Sequence, residues 1–168
     1  MLGKFKKWLE GDQPKALNTQ MARIVGENTE LANLDYHPKV IIAWTKSLLG
    51  EHQFSTYLLN NGFEELYYAT QAIYLKDEAR KWLMDNGYAH LMAMIHGAEG
   101  NVQALSWLQT YEFDILFNIA IAVDGEAEGY KWLNQNCTPD IFMLARTIQK
   151  VKDGIEENHN DVHSFRKD

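Results

Sequence analysis

Four aromatic residues recur in this chain at a constant spacing of 25: Tyr57, Trp82, Trp107 and Trp132. Leucine follows each one, as Leu58, Leu83, Leu108 and Leu133. Nine residues after each aromatic comes Leu66, Leu91, Leu116 or Ile141, and the next position holds Tyr67, Met92, Phe117 or Phe142. Ile73, Ala98, Val123 and Ile148 make another matched column. Phe63, Tyr88 and Phe113 make one more, which lapses at Thr138. Columns kept in register without gaps mean like units, and like units pack against one another. That period constrains the fold more than any single motif.

The content of a unit follows from its spacing. In residues 77–87, Ala79, Trp82 and Leu83 fall on one face of a short helix. Asn86-Gly87 ends it, because glycine takes the left-handed conformation of a helix cap, and Asn61-Gly62 does the same one unit earlier. A second helix, Tyr88–Ala98, lines one face with Leu91, Met92, Met94, Ile95 and Ala98, and Gly100-Asn101 turns the chain back. Gly125 holds the matching turn one period on. In the last unit Thr138-Pro139-Asp140 supplies an N-cap, a first-turn proline and a first-turn acid. Each unit therefore reads as a pair of short antiparallel helices. Such a pair cannot bury its own apolar face, so neighbours must stack.

The expected fold is all-α: a short, right-handed-type α-helical repeat stack, an α-α superhelix, with N-terminal capping helices. The handedness follows known solenoids by analogy. Residues 1–51 form the N-terminal segment and caps, 52–152 four helix-pair repeats, and 153–168 a polar tail, all in one structural domain. Pro14–Val25 and Pro38–Leu49 read as the capping helices, each closed by a glycine, with a loop over Glu27–His37 between them. Trp44 falls outside the phase of the tryptophans, which places its helix in the cap. Lys152–Asp168 reads as a frayed helix end and a mobile tail. Tyr57, Trp82, Trp107 and Trp132 are expected to form a buried spine.

The string Leu91-Met-Ala-Met-Ile-His-Gly-Ala-Glu-Gly-Asn-Val-Gln-Ala-Leu-Ser-Trp-Leu108 resembles the helix–turn–helix core of an ankyrin repeat. The likeness lies in an apolar helix, a glycine turn and a second helix ending in an aromatic–Leu pair. Over residues 52–152 the resemblance is to the wider class of α-helical solenoids, armadillo and HEAT types included. It implies protein binding, by analogy of fold.

Charge is distributed unevenly along the 168 residues, whose net charge is −7. No Lys or Arg lies between Lys81 and Lys131, a stretch that holds Asp85, Glu99, Glu112, Asp114, Asp124, Glu126 and Glu128. Lysines and arginines balance acids on either side, so the excess lies there. Phosphate would be repelled by this region, which disfavours nucleic acid as a partner. Glu99 and Asp124 are one period apart, each directly before a turn glycine, and should stand side by side. Glu99, Glu112, Asp114, Asp124, Glu126 and Glu128 are thus the candidate contact residues for a basic protein partner. An inhibitor or immunity-type protein directed at a basic toxin is a narrower form of that reading. The alternative is an enzyme or small-ligand-binding protein with a groove lined by Tyr67, Tyr68, Tyr74, His90 and His96.

The sequence offers little for catalysis. It has no glycine-rich phosphate loop, paired-cysteine zinc motif or nucleophile elbow. No enzyme activity, cofactor or metal is expected. The single cysteine, Cys137, cannot form an internal disulfide, which suits a reducing compartment and a cytoplasmic location. His159 and His163, four apart around Asp161, have metal-compatible spacing but lie in the polar tail. No apolar run is long enough to span a bilayer. Leu2, Phe5, Trp8 and Leu9, interleaved with Lys4, Lys6 and Lys7, make residues 1–9 a short basic amphipathic segment capable of weak membrane-surface contact.

Overall fold

The computed structural model describes residues 34–164, with side chains as far as Asn160. Every regular element among these residues is a helix: α1 Pro38–Leu48, α2 His52–Asn60, α3 Glu64–Ile73, α4 Asp77–Asp85, α5 Ala89–Ala98, α6 Val102–Thr110, α7 Asp114–Val123, α8 Ala127–Asn136 and α9 Pro139–Ser164. The expected period appears in the boundaries. α2, α4, α6 and α8 start 25 residues apart, and so do α3, α5, α7 and α9.

The turns explain the regularity. After α1, α3, α5 and α7 the chain takes positive φ at Gly50 (87°), Leu75 (65°), Gly100 (86°) and Gly125 (107°), again 25 apart. A second set, Gly62 (82°), Gly87 (87°) and Glu112 (59°), closes α2, α4 and α6. Left-handed residues at these places stop the helix and reverse the chain. Asn61, Asn86 and Asn136 add a recurrent cap. Their side-chain amides donate to the carbonyls of Tyr57, Trp82 and Trp132 at 2.7, 2.8 and 2.9 Å.

The helices form two layers. α1, α3, α5, α7 and α9 touch in succession, and α9 packs back against α1, so the inner layer closes into a ring. α2, α4, α6 and α8 lie outside it, each against the two inner helices that flank it. The core consists of repeat columns. Ile41, Leu66, Leu91, Leu116 and Ile141 point inward from the five inner helices, and all are buried. Leu58, Leu83, Leu108 and Leu133 are fully buried from the outer four. Burying each such side chain contributes roughly 1.5–3 kcal/mol.

Three expectations are corrected. α1 ends 25 residues before α3 does, so it is an inner helix in phase with the others. Trp44, fully buried, occupies the place of Ala69, Met94, Ile119 and Leu144. It had seemed out of phase because it belongs to the inner column, not to the outer tryptophan column. Second, the aromatic spine is graded. Trp107 is buried at 5 % exposure, Trp82 and Trp132 are half-buried, and Tyr57 is exposed. The leucine one residue on points into the ring, which leaves the aromatic on the flank of its helix. Trp82 is covered there by stacking on Tyr68 and Tyr88. Third, α9 does not stop near residue 152 but runs on to Ser164. Val151 still packs on the core, and no proline or turn pair interrupts the later residues. Glu156 to Asn160 are exposed, so their polar composition is that of a solvated helix surface.

The capping helix expected over Pro14–Val25 and the amphipathic residues 1–9 lie outside the described residues. No described helix is long and apolar enough to cross a membrane.

Candidate functional site

The ring has two rims. The C-terminal ends of α1, α3, α5 and α7 share one of them, and hydrogen bonds between neighbouring ends establish this. The Tyr74 hydroxyl, just after α3, donates to the Leu48 carbonyl at the end of α1 at 2.7 Å. Arg80 reaches back to the Ala72 carbonyl with Nε at 3.2 Å and Nη2 at 3.1 Å. Lys152 Nζ donates to the Ala98 carbonyl at 2.6 Å. Cations at helix C-termini meet unpaired carbonyls and the negative end of the helix dipole.

The same two cations hold the two acids singled out by the period. Arg80 forks onto Glu99, with Nη1 at 3.2 Å from Oε2 and Nη2 in contact with Oε1. His96 Nδ1 lies 3.5 Å from the same carboxylate. Burial pushes the Glu99 carboxyl upward, but the hydrogen bonds and charges of His96 and Arg80 outweigh it and hold the pKa at about 2. Asp124 pairs with Lys152 at 3.0 Å. Sequence reasoning found Glu99 and Asp124 side by side but left them without cations. Their partners lie outside the cation-free stretch, 19 and 28 residues away in sequence. One signal was available: in an antiparallel pair the start of α4 meets the end of α5, which brings Arg80 to Glu99.

Beneath this rim lies a cavity of about 30 Å³. Its apolar wall includes Ile73, Ala98, Val123 and Ile148, one complete column of the repeat, and its mouth carries Glu99 and Lys152. That volume suits a water molecule rather than an organic substrate.

The six candidate acids do not form one cluster. Glu126 and Glu128, both exposed, begin α8 on the same rim as Glu99 and Asp124. Lys131 approaches Glu128 at 3.8 Å across open surface. Glu112 and Asp114, also exposed, stand at the start of α7. Ten helical residues, about 15 Å, separate them from the other four. Sequence proximity had merged two opposite rims. What sequence reasoning missed is the apolar side of the C-terminal rim. Leu49 is 50 % exposed, Tyr74 39 % and Leu75 46 %. Leu49 and Tyr74 occupy the repeat position that Glu99 and Asp124 hold in later units, so the rim runs from apolar to acidic along one column.

The opposite rim carries buried polar side chains. The Tyr36 hydroxyl donates to Glu65 at 2.8 Å, and burial pushes both groups up from their ordinary values. His90 is 1 % exposed, lies parallel to Phe113 with centroids 5.7 Å apart, and has no hydrogen-bond partner on either ring nitrogen among the described residues. Burial holds its pKa down at about 4.

Tyr67, Tyr68, Tyr74, His90 and His96 do not line one groove. Tyr67 and Tyr68 pack edge-on and Tyr68 stacks on Trp82 of α4, while Tyr74 and His96 belong to the C-terminal rim. His90 is enclosed at the other rim. Burial first, and Asp140 second, push the Cys137 thiol up, away from a reactive thiolate. Among the described residues no three His, Cys, Asp or Glu side chains converge as metal ligands. His159 is exposed, and the side chain of His163 lies outside the described residues.

No family model, curated protein or solved structure matches this chain.

Proposed function

We propose that this chain is a non-enzymatic helical-repeat protein that binds a basic protein partner through its C-terminal rim. One observation carries the reading. Exposed apolar side chains (Leu49, Tyr74 and Leu75) share that rim with Glu99, Asp124, Glu126 and Glu128. An apolar centre flanked by charge is the ordinary composition of a protein interface. Glu99 and Asp124 are neutralised within the chain, so Glu126 and Glu128 are the charges that meet the partner. Glu112 and Asp114 face away and take no part.

The test begins with capture of the partner from the native cell at low and at high salt, followed by purification of the captured protein and measurement of association rates. A basic partner is expected, lost as salt rises. Rim charges act mainly on association, so Glu126→Lys with Glu128→Lys should slow it about tenfold. Tyr74→Ser with Leu75→Ser should instead speed dissociation. Binding indifferent to salt and to both pairs of substitutions would place the interface elsewhere.

A further inference from the structure

Two units carry the same chemistry at the same place. Asn61-Gly62 follows α2 and Asn86-Gly87 follows α4, one period apart. In both, the asparagine side chain donates to the carbonyl four residues back, Tyr57 at 2.7 Å and Trp82 at 2.8 Å. An asparagine before glycine is a labile pair, because no Cβ shields the glycine nitrogen from the asparagine side-chain carbon. Reaction needs those two atoms to meet, and the cap holds them apart. Its rate is then set by how often the end of the helix opens. The two ends are held differently. α2 buries Leu58, whereas α4 buries Ala79, Leu83 and Met84. Tyr57, whose carbonyl holds the Asn61 amide, is 39 % exposed and stacks on Phe63 at a centroid distance of 6.4 Å. Trp82, whose carbonyl holds the Asn86 amide, is clamped between Tyr68 and Tyr88, with ring centroids 3.9 and 5.8 Å away. Gly62 is exposed, while Gly87 is buried and its N–H points at the Met84 carbonyl at 3.4 Å.

We propose that Asn61 is a site of spontaneous modification, at which the folded chain turns an amide into aspartate or isoaspartate while the matching Asn86 is protected. When the end of α2 opens, the Gly62 nitrogen attacks the side-chain carbon of Asn61. A carbon–nitrogen bond forms, the amide carbon–nitrogen bond breaks, and the proton from the Gly62 N–H leaves with the amide nitrogen as ammonia. Water then opens the cyclic imide at either carbonyl, to aspartate or to isoaspartate. No oxidant, metal or enzyme is required. Asn136 has the same cap, but the Cys137 side chain that follows it obstructs the attack. Both products weaken the turn. A carboxylate at residue 61 cannot donate to the Tyr57 carbonyl, and it sets negative charge at the C-terminal end of α2, where the helix dipole disfavours it. Isoaspartate also lengthens the backbone by one carbon and so displaces the Phe63 N–H from the Leu58 carbonyl, 3.0 Å away in the intact turn. That loosens the junction at which Phe63 meets Tyr36 and Tyr57. The site lies on the rim opposite the proposed interface and does not rest on that reading.

The test follows the full chain as it ages at neutral pH. Samples taken over several weeks are digested and mapped by mass spectrometry, with electron-transfer fragmentation to separate isoaspartate from aspartate. Conversion at Asn61 should run several-fold ahead of conversion at Asn86. In urea at the same pH both helix ends are open, and the two rates should converge. Trp82→Leu removes the clamp on the end of α4 and should speed conversion at Asn86 in the folded chain, with Asn61 unchanged. Asn61→Asp installs one product directly and should lower the thermal midpoint. Equal rates at the two sites in the folded chain, or a lead for Asn86, overturn the proposal. So does a lead for Asn61 that persists undiminished in urea, since it would then belong to the neighbouring sequence and not to the fold. Both comparisons use the parent chain and stand even if Trp82→Leu fails to fold. An unchanged midpoint in Asn61→Asp would overturn the loosening of the turn.

Discussion

At the C-terminal rim, Arg80 and Lys152 each bind a helix-end carbonyl and a carboxylate at once. At the opposite rim, Glu65 and His90 occupy equivalent positions one period apart, both nearly inaccessible to water. Glu65 has the Tyr36 hydroxyl as a partner, and His90 has none among the described residues. In the other units that column holds Val40, Ile115 and Asp140. One rim thus meets its polar groups with paired charge at a wet edge, where each group is satisfied and moderately stabilising. The other encloses them, where desolvation dominates and the protonation state decides the cost. The repeat dictates where side chains go, but not how their polarity is answered.

The difference should appear as two separate pH windows. His90 has a folded pKa of about 4 against an ordinary 6.5. Between those values the unfolded chain binds a proton that the folded chain does not, so stability falls as pH drops from 6.5 to 4. The full loss is about 3 kcal/mol. Glu99 has a folded pKa of about 2 against 4.5, and its contribution is lost only as pH falls through that lower interval. Its side chain is a third exposed, so this second step is smaller. Urea unfolding at a series of pH values reads both. In His90→Leu the upper step should vanish and neutral-pH stability should hold or rise, since two unpartnered buried nitrogens are removed. Because the raised Glu65 carboxyl acts with the opposite sign over part of this window, the step is read as the difference between parent and variant; a His90→Leu profile parallel to the parent's between pH 6.5 and 4 would mean that His90 is not enclosed as described.

Arg80→Met tests the other side of the comparison with a smaller effect. It leaves the Ala72 carbonyl without its guanidinium and Glu99 with His96 alone. A loss of about 1–2 kcal/mol is expected, with the lower pH step reduced. Lys46→Met serves as the reference. The Lys46–Glu51 pair is open to solvent at 3.5 Å and should contribute less than about 1 kcal/mol. Equal effects from the two substitutions would reduce the Arg80 network to ordinary surface charge.

The sequence shows the architecture at high resolution. The helix starts, the turn positions and the columns of core leucines all follow from one period. Two kinds of feature were out of reach. Closure of the ring depends on α9 meeting α1, a contact between the ends of the chain that no local pattern encodes. The ion pairs of the rim depend on where antiparallel helices return, which is why the acids of residues 82–130 looked uncompensated. Linear proximity misled in the same way by grouping Glu112 and Asp114 with Glu126 and Glu128, although α7 holds them apart. The tryptophans misled for another reason. Size and periodicity marked them, but burial in this ring goes to the leucine that follows each one.

The smallest expected effect compares the rims through their turns. Leu75 holds φ of 65° where the other units carry Gly50, Gly100 and Gly125, on the C-terminal rim, and Glu112 holds φ of 59° where the two preceding units carry Gly62 and Gly87, on the opposite one. A side chain in the left-handed region costs roughly 1–2 kcal/mol, while introducing glycine returns part of that through the entropy of the unfolded chain. Leu75 is 46 % exposed and Glu112 is exposed as well, so neither gives up much packing. Leu75→Gly and Glu112→Gly should each stabilise the fold by about 0.5 kcal/mol, a rise of one or two degrees in thermal midpoint. Gly100→Ala, at φ 86°, should move the midpoint the opposite way. The two gains should then part company in function. Leu75→Gly removes an apolar contact from the proposed interface and should speed dissociation of the partner, whereas Glu112→Gly should leave binding untouched. If both variants lose stability, the side chains at these turns make contacts that offset their strain. If Glu112→Gly weakens binding while Leu75→Gly does not, the interface belongs to the other rim.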